Sequence, residues 1–198
     1  MTPVQIERDP LACSDAAPNR HRMHMAVAEA GKRLALKGRH DEALMKYREA
    51  LRLAYAAAAP QVFPRHYLHC VIESLEHSGA YAQAAALAGE AASAAADADA
   101  STFHRRDRAH LLERQGVNQL KAGDTAAARA ALTAALALDP ELSLARAVMD
   151  WTARGLSVSP TRLTEAQRHH RYFIVRADIV DADGMMDTPK ASKDAAHG

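Results

Sequence analysis

From about residue 21 the apolar positions recur every three to four residues, the period of a helix with one buried face. The run HRMHMAVAEAGKRLALKG predicts a helix that stops at Gly38, and DEALMKYREALRLAYAAAA predicts its partner. Two prolines in PQVFP (60–64) break the chain, and two more pairs follow. The first of these is RHYLHCVIESLEHSG with AYAQAAALAGEAASAAADAD, the second DRAHLLERQGVNQLKAG with DTAAARAALTAALALDP. In each pair the first helix ends at a glycine, which suits a left-handed residue beyond the last turn. These glycines, Gly38, Gly79 and Gly123, lie 41 and 44 residues apart. ELSLARAVMDWTARGL then predicts a helix with Leu144, Val148 and Trp151 on one side, and SPTRLTEAQRHHR another, with Ser159 as N-cap and Pro160 in its first turn.

The pattern weakens at both ends. Residues 1–20 carry Pro3, Pro10 and Pro18 without a sustained period and are expected to form a flexible arm. Residues 21–156 form the helical repeat domain with its cap helix, and 157–180 a C-terminal helix and docking segment. Within that segment YFIVRADIV (172–180) suits a strand by composition, yet a continuing helix fits too. It either folds back on the cap helix or docks on a partner or a second copy of the chain, giving a homodimer. Residues 181–198 read as a disordered polar tail.

Composition narrows the function classes. In 198 residues, 25 Lys and Arg balance 24 Asp and Glu, so the charge of +1 offers no basic face for nucleic acid. No stretch reaches the roughly 18 apolar residues of a membrane helix, and the N-terminus has no run of signal-peptide length. The two cysteines, Cys13 and Cys70, make no disulfide framework, which fits a reducing cytoplasm. Abundant alanine with few aromatic and β-branched runs predicts an all-α protein.

The richest chemistry lies in RHYLHCVIESLEH (65–77), with three histidines, a cysteine and two glutamates. At about 100° per residue from His66, the apolar Leu68, Val71, Ile72 and Leu75 fall at about 200°, 140°, 240° and 180°. His69, Cys70, Glu73 and His77 fall at about −60°, +40°, −20° and +20°, on the opposite side. The ionisable stripe therefore faces away from the core stripe.

The paired helices carry a further pattern. The first pair has Val27, Ala30–Gly31 and Leu34, then Ala43 and Tyr47; the third has Leu112, Gln115–Gly116 and Gln119, then Ala128, Leu132 and Pro140. The second has Leu68, Val71–Ile72 and Leu75, then Ala84 and Ala88, with bulky Ile72 at a position usually small. Over about residues 24–140 the chain resembles the tetratricopeptide repeat family, with spacings longer than the usual 34. The resemblance implies an all-α, right-handed α-solenoid of three helical hairpins with C-terminal capping helices.

It also implies that the first helices line a concave groove for peptides or partner helices. Here that groove is lined by Met25, Ala28, Lys32 and Leu36, then His66, His69, Cys70, Glu73, Glu76 and His77, then His110, Glu113, Arg114, Val117 and Lys121. The family's carboxylate clamp for chaperone tails maps onto Ala28, Lys32, Cys70, His110 and Arg114, of which only Arg114 keeps its type, so a heat-shock chaperone tail is not the expected ligand.

Two other chemistries compete for the stripe. His66 and His77 stand about 16 Å apart along the helix, whereas zinc–nitrogen bonds are about 2.0–2.1 Å, so a metal-binding protein using helix 65–77 needs ligands from elsewhere, such as His110 or Glu113. A nucleophile at Cys70 with His66 and Glu73 has the right residue types but sits on a helix flank, and no phosphate loop follows a strand. The expectation is a non-catalytic cytoplasmic adaptor, assembly factor or chaperone, needing no cofactor. It binds another protein in the groove through Lys32, His66, His69, Glu73, His77, His110 and Arg114, with sensitivity near pH 6–7 where imidazole titrates.

Overall fold

The computed structural model describes residues 16–96, 101–178 and 180, with side chains from residue 21. The expected tail 181–198, most of the expected arm and Cys13 lie outside the described residues. Eight helices and no strand occupy the described residues: α1 (Ala16–Leu36), α2 (His40–Ala56), α3 (Val62–His77), α4 (Tyr81–Ala94), α5 (Thr102–Lys121), α6 (Thr125–Leu138), α7 (Ser143–Ala153) and α8 (Pro160–His169). The chain is all-α. Helix α1 begins five residues inside the stretch expected to be an arm.

The helix ends follow from local chemistry. Gly38, Gly79, Gly123 and Gly155 all have positive φ, and at each the next residue's N–H reaches back to a carbonyl five residues earlier, as in Arg39 N–H to Leu34 O at 3.0 Å. The same turn closes α2 at Ala58 (φ 49°) and α8 at Arg171 (φ 53°), where a side chain occupies a backbone region that favours glycine. Ser101, Asp124 and Ser159 cap α5, α6 and α8 through side-chain oxygens. Helix α7 has no cap of its own; the Glu113 carboxylate of α5 accepts the Ala145 N–H at 3.0 Å instead.

The helices pack in chain order, each on its predecessor and successor, while α1 touches α3 and α3 touches α5. One face is thus shared by α1, α3 and α5. Between paired helices, small meets large. A Cβ on Gly31 would lie 2.7 Å from the Tyr47 ring, and one on Gly116 would lie 2.6 Å from Leu132 Cγ and 3.0 Å from the Ala128 carbonyl. In the middle pair the sizes are exchanged, with Ile72 and Ala88 both fully buried in one cluster. That exchange keeps volume roughly constant where the sequence departs from its neighbours.

Residues 172–178 and 180 form neither helix nor strand. Tyr172 belongs to the cluster built by α5–α8, while Ile174 and Val175 pack against the central cluster of α2–α5. Residues 104–108 lie in the first turns of α5, where the Asp107 side chain bonds Arg65 and His69.

The close approaches predict that Gly31→Ala and Gly116→Ala each cost about 1–3 kcal/mol in urea unfolding. Gly116→Ala is the worse of the two, because the backbone carbonyl of Ala128 yields less readily than the Tyr47 ring.

Candidate functional site

The face of α1, α3 and α5 holds the stripe, and the stripe is largely covered. Cys70, Glu73 and Glu76 are buried. Cys70, expected opposite the core, instead belongs to the central apolar cluster with Tyr47, while Glu73 and Glu76 are covered in part by the chain returning after α8.

The Arg171 turn delivers Tyr172, whose carbonyl accepts from Arg114 Nη2 at 3.2 Å. The next residues run across Glu73. Ile174 N–H donates to Glu73 Oε2 at 2.7 Å, and Val175 N–H to Oε1 at 3.0 Å. Arg114 also donates to Glu73 at 3.4 Å, and its guanidinium lies 4.7 Å above the Tyr172 ring.

One turn along α3, Glu76 collects four donors. Lys121 Nζ stands at 2.7 Å, Asn118 Nδ2 at 3.2 Å and the Tyr172 hydroxyl at 3.1 Å, joined by Gln167 Nε2. A buried carboxylate without such partners would be strongly disfavoured. The two glutamates titrate in opposite directions. Burial pushes Glu73 above the usual carboxylate range, against the pull of Arg114 and the two backbone N–H groups. Burial pushes Glu76 the same way, but Lys121, Gln167 and Arg114 outweigh it and hold Glu76 below that range.

The histidines of the stretch part company. His66 lies 3.8 Å from Cys70 Sγ and lines a cavity of about 280 Å³ with His69, His110, Arg114, Glu141 and His170. His69 turns to Asp107, its Nε2 3.1 Å from Oδ1, and Arg65 shares that carboxylate. His77 stacks on His40 with centroids 4.7 Å apart and meets the Phe173 ring at 4.7 Å. His110 is exposed, 3.8 Å from Glu113. Lys32 donates to Glu29 at 2.7 Å and, with His66, lines a smaller cavity beside Ile174 and Arg176.

Glu73 and Arg114 are therefore brought together with the chain's own segment, whose Phe173 also meets His77, while His69 is engaged with Asp107 and Lys32, His66 and His110 remain at the rim. Among the described residues, no group of three or more His, Cys, Asp or Glu side chains is arranged to hold a metal ion. His24 is fully buried, with its Nδ1 2.8 Å from the Tyr67 hydroxyl.

Sequence reasoning passed over Asn118, Gln167 and Tyr172 as site residues. Asn118 had a signal: Arg114, Asn118 and Lys121 recur at i, i+4 and i+7, one face of α5. Gln167 and Tyr172 had none, since they arrive from more than 90 residues away in sequence.

Compared with known proteins, the chain matches no family model, no curated protein and no solved structure. What the described residues define is an all-helical protein with a non-helical segment strapped across one helical face. No described helix is long and apolar enough to cross a membrane.

Two outcomes follow from the buried charges. Glu76→Ala strands Lys121 and leaves Asn118 and Gln167 short of an acceptor, and is expected to cost about 3–5 kcal/mol in denaturant unfolding. The second concerns pH. Burial, aided by Lys32, His69 and Arg114, pushes His66 from an ordinary 6.5 down to about 4, and burial with His40 does the same to His77. His77 keeps an open outer edge, so the better enclosed His66 sets the window. The unfolded chain takes up the proton first, so stability is full above about pH 6.5 and falls as pH drops toward 4. Glu76, held low, adds to the loss in acid, and Glu73, held high, offsets part of it. Urea midpoints measured from pH 7.5 to 4.5 should decline, with a shallower decline in His66→Gln; an identical slope would remove His66 from the account.

Proposed function

We propose that this chain is a tetratricopeptide-like, right-handed α-solenoid of three hairpins with C-terminal capping helices. Its role is non-catalytic: a cytoplasmic adaptor, assembly factor or chaperone that holds a segment of another protein on the face of α1, α3 and α5. One observation carries the reading. A buried carboxylate, Glu73, accepts two consecutive backbone N–H groups where the segment bends at Ile174, while Arg114 donates to a carbonyl two residues before the first of them. This chemistry recognises peptide backbone, presented by a partner segment that bends in the same way.

The repeat assignment draws support from the paired contacts of Gly31 with Tyr47 and Gly116 with Leu132, and from the exchanged sizes of Ile72 and Ala88. The non-catalytic role draws support from Cys70. Burial, then Glu73, pushes its thiol up to about 12, so it is protonated and a poor nucleophile at neutral pH.

In this reading Glu73 and Arg114 hold backbone, His66 and His110 line the cavity beside it, and Lys32, His69 and His77 frame the edges. The test is a random peptide display library screened against the full chain. Enriched sequences should bind with a Kd that weakens at least tenfold in the rim variant Lys32→Ala, His66→Ala, His110→Ala, which leaves the buried network intact. No enrichment, or binding indifferent to that variant, would sink the proposal.

A further inference from the structure

The face proposed for a partner is already occupied by residues 172–176, and the manner of occupation says what the partner should look like. Three contacts are made through the segment's backbone: the Tyr172 carbonyl with Arg114, and the Ile174 and Val175 N–H groups with Glu73. Side chains supply the rest. The Tyr172 hydroxyl donates to buried Glu76, Phe173 turns to the His77 ring, and Ile174 and Val175 lie on the central apolar cluster.

Most of the receiving groups are held without the segment. Glu76 has Lys121, Asn118 and Gln167, and Glu73 has Arg114. The segment is rooted at Arg171, a non-glycine residue in the left-handed region that favours glycine. Open space flanks it on both sides: about 280 Å³ beside His66 and His170, and about 650 Å³ beside His77, Lys121 and Arg168. The receiving face is thus preformed, and the segment leaves room around itself.

We infer that residues 171–178 are a releasable strap, and that the face beneath binds from a partner a non-helical segment of the same chemistry and the same bend: an aromatic residue with a hydroxyl, a second ring, then two aliphatic residues with free N–H groups. This rests on the peptide-binding reading above and adds the ligand's chemistry and its competitor. Because the strap is tethered, its effective concentration is of millimolar order, and a free ligand must outcompete it.

The test adds a fluorescent peptide, HRYFIVRADIV, to the full chain and to the full-length double variant Ile174→Pro, Val175→Pro, whose strap has lost both donors to Glu73. The peptide should bind the double variant at least tenfold more tightly than the wild type, and the same peptide with proline at those two places should not bind. A folded double variant, by circular dichroism, that binds no better than wild type overturns the inference. If the double variant does not fold, hydrogen exchange on the wild type decides. Ile174 and Val175 amides that open below the global unfolding energy support a strap; amides that exchange only through global unfolding overturn it. Enrichment of unrelated peptides at the same rim residues would defeat this inference alone and leave the peptide-binding role standing.

Discussion

Two glutamates one turn apart on α3, with almost no access to water, set the terms for the C-terminal third of this protein. A buried carboxylate is tolerated only when donors surround it, and those donors come from three places: α5, α8 and the segment beyond it. Satisfying Glu73 and Glu76 therefore orients α5 against α3, draws α8 inward through Gln167, and fixes the register of the strap to the residue, since consecutive N–H groups meet the two oxygens of one carboxylate. Apolar packing alone would leave that register loose. Tyr172 is the joint between the two kinds of force, its ring in the apolar cluster of α5–α8 and its hydroxyl on Glu76.

The network also accounts for the way titration is distributed. Glu73 and Glu76 stand in similar burial but are pushed opposite ways, because Lys121 bonds Glu76 directly while Glu73 receives mostly backbone dipoles and a longer contact from Arg114. Histidines on the same helix are kept neutral by burial and by the nearby cations. At neutral pH the face thus carries its charge on fixed, paired groups and not on His66 and His69.

Much of the framework was legible in the sequence for local reasons. Glycine marks the end of α1, α3 and α5 because a left-handed turn is a property of one residue and its neighbours, and Ser159 with Pro160 marks the start of α8 in the same way. Helical phase placed Ile72 and Leu75 in the core and the ionisable residues opposite. Phase could not say what the opposite side meets. Glu73 reads as a groove residue until Ile174 and Val175 arrive, and backbone N–H groups leave no trace in a sequence. Positions whose environment comes from far along the chain were the ones misjudged, and they make up most of the site.

The separation between Glu73 and its strap, about 100 residues, stands out in a fold whose other contacts run mainly between successive helices. A chain emerging from the ribosome presents α1 to α5 well before the strap has been made. Of the donors to the two carboxylates, Arg114, Asn118 and Lys121 are made early, whereas Gln167, Tyr172 and the two backbone N–H groups come last. Glu73 thus waits longer than Glu76 for most of its partners.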